Sequence, residues 1–129
     1  MSATLTIPAE LSQLEHVRTW IVGHLRAGGV RDAVRVDVEL VVTEALANVV
    51  RHTFAGREGT IEIVVELADE RLRLEITDDG PPWDGAVAAP AADGGGGYGM
   101  RLMAEVMDTV EHRTLEPTGN RLTLEKRVS

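Results

Sequence analysis

The first half of the chain shows a two-residue hydrophobic period, typical of a strand, followed by the three-to-four-residue period of helices. Residues 4–7 alternate threonine with leucine or isoleucine, which predicts a short edge strand that ends at Pro8. From residue 10 to about residue 27, apolar residues recur every three or four positions and predict an amphipathic helix, which two glycines end. Residues 31–53 carry the cleanest helical stripe. Because many of them are β-branched, packing rather than intrinsic propensity must stabilise this second helix.

The second half of the chain predicts a hairpin, a loop, a helix and two more strands. Residues 60–67 and 72–77 alternate apolar and polar side chains around a four-residue connection, as a β-hairpin does. Residues 84–97 are glycine-rich and predict a flexible loop. Helical spacing resumes over 98–107, and further strands are expected over 109–114 and 121–128.

This order of elements predicts an α+β fold. Each sheet and each helix has one apolar side to bury, so we expect a two-layer α/β sandwich, a mixed β-sheet covered on one face by three helices. A chain of 129 residues has room for one core of ordinary size. We therefore expect a single domain over residues 1–129.

Composition excludes several classes of protein. The formal net charge of −8 removes the electrostatic attraction on which nucleic-acid and anionic-membrane binders depend, so we expect neither partner. With no cysteine, the chain has no disulfide, thiolate zinc site or cysteine nucleophile. The start of the chain lacks the pattern of a signal peptide, and no stretch approaches the roughly 20 apolar residues of a membrane span. We expect a cytoplasmic protein.

The first candidate for chemistry is a carboxylate and an amide on the second helix. Glu44 and Asn48 lie one turn apart at the border of the apolar stripe. Such a pair holds Mg²⁺ or accepts a proton from a hydroxyl nucleophile. Taken alone, however, this spacing more often marks a solvated helix face.

Two further motifs follow the hairpin. Asp78 and Gly80 come directly after a strand, where an aspartate commonly forms a turn but also accepts a hydrogen bond from an amine such as that of adenine. Glycines fill most of residues 94–99, immediately before a helix. Free backbone amides at a helix N-terminus bind phosphates, although a glycine run alone is more often a linker.

In this order, the three motifs resemble the N, G1 and G2 boxes of the GHKL, or Bergerat-fold, ATPase superfamily. Their pattern is Glu44-x-x-x-Asn48, Asp78-x-Gly80 and Gly97-x-Gly99. The length of the chain and the run from Gly97 to Asp108 look like those of the anti-sigma factor serine/threonine protein kinases. The resemblance covers essentially the whole chain.

The resemblance implies a role for each matching residue. It implies Glu44 as general base toward the substrate hydroxyl and Asn48 as the ligand of a Mg²⁺ ion that bridges the phosphates of ATP. Residues 84–97 would form the ATP lid. The residues implied in nucleotide binding are Asn48, Asp78, Gly80, Gly97, Gly99, Met100 and Asn120. His52 lies where such kinases often have histidine, although a residue at a helix C-terminus also interacts with the helix dipole.

The chain departs from the family pattern at three places. Pro82 replaces a second glycine that many members carry in the G1 box. No lysine or arginine lies between Asp84 and Gly97, and Arg101 is the nearest substitute. Asn120 stands where members commonly have threonine, and strand parity points it the same way as the apolar residues of the last strand, so its amide replaces the hydroxyl near the adenine.

The resemblance implies a protein kinase that binds Mg-ATP and switches between two partners. It would phosphorylate a serine or threonine of an anti-anti-sigma (STAS) protein and would sequester a sigma factor, and it would form a homodimer through the N-terminal edge strand and first helix. The alternative is a module that captures a partner without phosphoryl transfer, with or without nucleotide. The ATP-binding domain of a two-component histidine kinase is disfavoured, since no segment supplies a dimerising phosphoacceptor helix pair.

Overall fold

The computed structural model describes residues 1–83 and 97–128, with the side chains of residues 97–100 outside the description. Five strands carry the sheet. They are β1 (Ser2–Pro8), β2 (Thr60–Ala68), β3 (Arg71–Asp78), β4 (Thr109–Thr114) and β5 (Asn120–Arg127). The helices are α1 (Leu14–Ala27), α2 (Asp32–Asn48) and α3 (Gly97–Val106). A 3₁₀ turn at Leu11–Gln13 precedes α1, and a π-helical turn at Val49–Phe54 extends α2.

The sheet has the order β1-β2-β3-β5-β4, and each of its four pairings is antiparallel. The α+β fold class is therefore confirmed, but the expected mixed sheet is wrong for the described strands. Neighbouring strands run in opposite directions throughout this order, whereas a mixed sheet needs at least one parallel pair. The prediction that β1 is an edge strand is confirmed.

The core lies between one face of the sheet and the helices. Alternate residues of the central strands point toward the helices and are buried, as Ile61, Ile63 and Val65 are in β2. In α2 the buried positions recur at helical spacing, and α2 packs against both α1 and α3. The β-branched stripe thus forms a helix because its burial outweighs its modest helix propensity.

The opposite face of the sheet carries no described helix and is polar. Glu75 of β3 forms ion pairs with Arg73 at 3.1 Å and with Arg121 of β5 at 3.6 Å. Alternation of apolar and charged residues therefore orients each strand, because a shift of one residue would bury these charges. Among the described residues, no helix is long and apolar enough to cross a membrane.

Candidate functional site

Two motif residues from distant parts of the chain meet at one end of the sheet. Asp78 is the last residue of β3, and its partner in the antiparallel register is Asn120, the first residue of β5. Asp78 is 4% exposed and Asn120 is fully buried. Polar side chains are seldom buried this completely without a specific arrangement of hydrogen bonds.

The two carboxylate oxygens of Asp78 have different surroundings. Oδ1 accepts hydrogen bonds from the backbone N–H of Gly80 at 2.9 Å and from Nδ2 of Asn120 at 3.0 Å. Oδ2 is buried and has no hydrogen-bond partner among the residues that the structure describes. Burial raises the pKa of Asp78 above the ordinary value for aspartate, and the two hydrogen bonds oppose that shift. An unpaired buried acceptor is costly, so this oxygen is a fitting partner for a donor on a ligand.

Asn120 uses its whole amide on the protein itself. Nδ2 also donates to the carbonyl of Pro81 at 2.9 Å. Oδ1 accepts from the backbone N–H of Trp83 at 2.9 Å and lies 3.1 Å from Nε2 of His112. Both polar atoms of the Asn120 amide are therefore already hydrogen-bonded within the protein. Neither is free for the direct contact with the nucleotide that the sequence predicts. Asn120 instead joins Asp78 to the segment that follows it.

Two aromatic side chains cover this network. The rings of Trp83 and His112 stack at 4.3 Å between centroids, with 9° between their planes. Trp83 is 8% exposed, and its buried Nε1 finds no hydrogen-bond partner in residues 1–83 or the described residues after 96. His112 lies on β4 and faces the helix side of the sheet, opposite Leu122. The stack holds the chain directly after the Asp78-Gly80 motif against the edge of the sheet.

Gly80 lies where a side chain has no space. A Cβ at this position would lie 2.5 Å from Cγ2 of Thr53 and 3.3 Å from both Oδ1 of Asp78 and the ring of Phe54. Glycine is therefore required for the turn to approach the end of α2. Gly119, on the neighbouring turn, has φ +113, and a Cβ there would lie 2.6 Å from the carbonyl oxygen of Asp78.

The second helix carries its motif in its last turns, directly before the Val49–Phe54 segment that adjoins Gly80. Glu44 is half-buried. Asn48 is 8% exposed, and its buried Nδ2 has no hydrogen-bond partner within the described part of the chain. An asparagine in this state offers a donor for phosphate oxygens and a carbonyl oxygen for a cation.

The π-helical turn after Asn48 changes which side chain lies next to it. A π turn places residues five apart above one another, and the backbone N–H of Ala55 donates to the carbonyl of Val50 in this manner. Thr53, five residues after Asn48, is therefore buried, and none of the described residues hydrogen-bonds its Oγ1. His52 is exposed and lies in the last turn of this π-helical segment, which places it at the helix C-terminus.

The predicted phosphate-binding segment is described only in part. Gly97 and Gly99 lie in the first turn of α3, and α3 packs against α2, the helix that carries Asn48. This position agrees with a helix N-terminus that binds phosphates. The side chain of Met100 and residues 84–96, predicted as the lid, lie outside the described residues. Arg101 is exposed.

The residues present fit a nucleotide with Mg²⁺. Among the described residues, Asp78 supplies an acceptor without a partner in Oδ2, and Asn48 supplies a donor without a partner in Nδ2. Within residues 1–83 and the described part after residue 97, no group of three or more His, Asp or Glu side chains forms a metal cage. Mg²⁺ characteristically binds through one or two protein oxygens together with phosphates, so a cage is not required.

Sequence reasoning missed three residues of this site: Thr53, Trp83 and His112. Helical periodicity hid Thr53, because a π turn adds one residue per turn. Strand alternation could have placed His112 on the buried face of the sheet, because His112 pairs with the buried Leu122. Nothing in the sequence near Trp83 indicated a partner 29 residues away along the chain.

The fold and the buried polar groups of this site suit an ATPase domain, and comparison with known proteins identifies the family. A family model described as the histidine kinase-like ATPase domain matches residues 7–126. The chain belongs to this family, and the resemblance to GHKL ATPases of the anti-sigma kinase type is confirmed. ATP is the ligand that this family implies.

Relatives of the chain include serine-protein kinases named RsbW. The chain is 31% identical over 83 residues to RsbW of Listeria innocua, which covers 63% of this chain and 52% of the relative. It is 28% identical over 120 residues to RsbW of Staphylococcus epidermidis, which covers 82% and 75%. The chain thus spans about half the length of the first of these relatives.

Solved structures share the fold. The RsbU and RsbW domains of Rv1364c from Mycobacterium tuberculosis match with a TM-score of 0.76 at 19% identity, over 99% of this chain and 32% of that one. The SiaB–SiaC complex from Pseudomonas aeruginosa matches with a TM-score of 0.65 at 15% identity, over 96% and 88%. At these identities, the likeness establishes the fold alone.

Proposed function

We propose that this protein is a Mg-ATP-dependent serine/threonine protein kinase that phosphorylates an anti-anti-sigma partner of the STAS class and sequesters a sigma factor. The observation that carries the proposal is the buried Oδ2 of Asp78, which no described residue hydrogen-bonds, in a chain of the histidine kinase-like ATPase family. Relatives named serine-protein kinase RsbW support the choice of reaction.

In this proposal, Asp78 recognises the base. Its Oδ2 accepts a hydrogen bond from the amino group of adenine, and Gly80 lets the base approach because no side chain intervenes. The gain is large relative to an ordinary surface contact, since the acceptor is already desolvated and the ligand removes the cost of leaving it unpaired.

The other end of the site carries the chemistry. Asn48 binds at the phosphates, and the amides of Gly97 and Gly99 face them from the N-terminus of α3. Glu44, one turn before Asn48, accepts the proton of the attacking serine or threonine hydroxyl. When bound, Mg²⁺ would neutralise the negative charge of the phosphates. Positioning and charge stabilisation of this kind account for most of the catalysis of phosphoryl transfer.

The first experiment is denaturation with and without nucleotide. Ligand at 100 times its dissociation constant stabilises a protein by about 2.7 kcal/mol, so Mg-ADP should raise the unfolding temperature of the wild type. Asp78→Asn should lose that response. If neither protein responds at millimolar nucleotide, the proposed nucleotide site is wrong and a nucleotide-independent capture module replaces it.

A second experiment separates a kinase from a binding module. A STAS partner is incubated with the protein and Mg-ATP, and its intact mass is measured. A kinase adds one phosphate to the partner, whereas a module that only captures the partner leaves its mass unchanged.

The proposal includes a homodimer formed through β1 and α1. The edge position of β1 supports it, because an edge strand leaves backbone groups available to another chain. Light scattering at high micromolar concentration tests it, and a monomer there would contradict it.

A further inference from the structure

We propose that Asn120 is a positioning residue that makes the base site selective for a six-amino purine, by fixing which oxygen of Asp78 faces the ligand. The inference rests on the proposed nucleotide binding at Asp78. It assigns to Asn120 a role through Asp78, in place of a contact with the base.

Backbone partners fix the orientation of the Asn120 amide. The N–H of Trp83 can only donate, so the atom 2.9 Å from it is the amide oxygen. The carbonyl of Pro81 can only accept, so the atom 2.9 Å from it is the amide nitrogen. Rotating the amide by 180° would bring donor to donor and acceptor to acceptor. The buried amide is therefore held in one orientation.

This orientation determines the hydrogens of its neighbours. Because Nδ2 of Asn120 donates to Oδ1 of Asp78, that oxygen is an acceptor and carries no proton. The backbone N–H of Gly80 donates to the same oxygen. On the other side, Oδ1 of Asn120 only accepts, so Nε2 of His112 carries a hydrogen and donates to it. Each hydrogen-bonding group of the amide has a defined partner.

In the Asp78 carboxylate, one oxygen is therefore hydrogen-bonded to the protein and the other is available as an acceptor. Two donors hold Oδ1 in place and prevent rotation of the carboxylate, which leaves Oδ2 as the acceptor available to a ligand. A purine with an amino group at C6 donates to this oxygen. A purine with a carbonyl group there presents a second acceptor, and the unpaired polar groups make that complex unfavourable.

Removal of the Asn120 amide should weaken this discrimination. With only the Gly80 amide left, the carboxylate rotates and takes up a proton more readily, since burial already raises the pKa of Asp78. A protonated carboxyl group donates to a carbonyl oxygen as well as it accepts from an amine. The ratio of affinities for the amino and oxo purines should therefore fall by a larger factor than the affinity for the amino purine itself.

The experiment is the ratio of the dissociation constants of Mg-IDP and Mg-ADP, two nucleotides that differ at C6 by oxo against amino. Titration calorimetry on the full chain should give a ratio of about ten or more for the wild type. Asn120→Thr keeps one donor for Asp78 and should give an intermediate ratio. Asn120→Ala should give a ratio several-fold below that of the wild type.

Thr118→Val is the matched control. Its hydroxyl donates to the carbonyl of Gly80 at 2.8 Å, so the change removes a hydrogen bond from the same pair of turns without touching Asp78. The ratio should stay at the wild-type value. A general loosening of the turns would lower the ratio in Thr118→Val as well, and that result would overturn the role of Asn120.

The outcomes separate the two proposals. A wild type that binds neither nucleotide overturns the proposed function. A wild type that binds ADP, with the same ratio in Asn120→Ala, overturns the role of Asn120 alone. If Asn120→Ala does not fold, a ratio in Asn120→Thr equal to or above that of the wild type also overturns it.

Discussion

Asp78 and Asp79 are adjacent in the chain, but their carboxylates bind the two different strands that flank β3. Asp79 accepts from the backbone N–H of Thr60 at 3.0 Å and from its hydroxyl at 3.2 Å, at an exposed site where β2 begins. Asp78 is buried and binds Gly80 and Asn120. One aspartate therefore holds the sheet together, and the other prepares an acceptor for a ligand.

Asp79→Ala should reduce stability and leave nucleotide binding in place. The two lost hydrogen bonds are exposed, so we expect a loss of about 1 kcal/mol in the free energy of unfolding. Chemical denaturation with and without Mg-ADP measures both quantities. A loss of the ADP response in this variant would mean that the two carboxylates are not separable in function.

Asp78→Asn should change how stability depends on pH. Because burial raises the pKa of Asp78 in the folded protein above its ordinary value, the folded state holds the proton more tightly than the unfolded state. The ionised carboxylate therefore costs stability above the folded-state pKa, and this cost disappears as pH falls through it. The amide variant carries no such charge.

The measurement is the difference in unfolding free energy between Asp78→Asn and the wild type, without nucleotide, from pH 8 to pH 4. The variant should gain relative to the wild type at the alkaline end, and the difference should shift in favour of the wild type as pH falls. A difference that does not change with pH would contradict a raised pKa for Asp78.

The elements of this fold follow from hydrophobic periodicity, but the hydrogen bonds of its site do not. Alternation predicted the strands within a few residues, as with 60–67 against Thr60–Ala68. The motifs singled out Asp78 and Asn48 as candidate ligand-binding residues, and both are buried in the folded chain. The role of Asn120 depends on Trp83 and His112, which only the folded chain brings together, so no local pattern contained it.

Gly80→Ala should destabilise the protein and abolish nucleotide binding. The added methyl group would contact Thr53 at 2.5 Å and crowd Asp78, so we expect a cost of about 1–3 kcal/mol. Gly23→Ala is the control, because a Cβ there meets nothing within 4 Å inside helix α1. That change should stabilise the protein by up to about 1 kcal/mol.

Thermal unfolding of both glycine variants with and without Mg-ADP tests this prediction. If Gly80→Ala unfolds at the wild-type temperature and still responds to ADP, the turn has more room than the structure indicates. A destabilised Gly23→Ala would instead contradict the open space found beside α1.

Glu44→Gln should separate binding from chemistry. The side chain is half-buried, and the substitution keeps its size, so stability and the ADP response should stay at wild-type values. Loss of a general base typically slows a reaction by roughly 10²–10⁴-fold. Phosphate incorporation into a STAS partner, followed by intact mass over time, measures the rate. Transfer at the wild-type rate would rule out Glu44 as the base.

The π-helical turn at Val49–Phe54 also constrains how this segment can vary in evolution. A π turn is equivalent to one residue inserted into an α-helix. Deleting one residue there would restore the α-helical period and rotate everything after it by about 100°, which would move Phe54 away from the turn at Gly80. Substitutions at the exposed Arg51 and His52 keep the segment's length and should be tolerated. Natural variation in this segment should therefore consist of replacements, with insertions and deletions selected against.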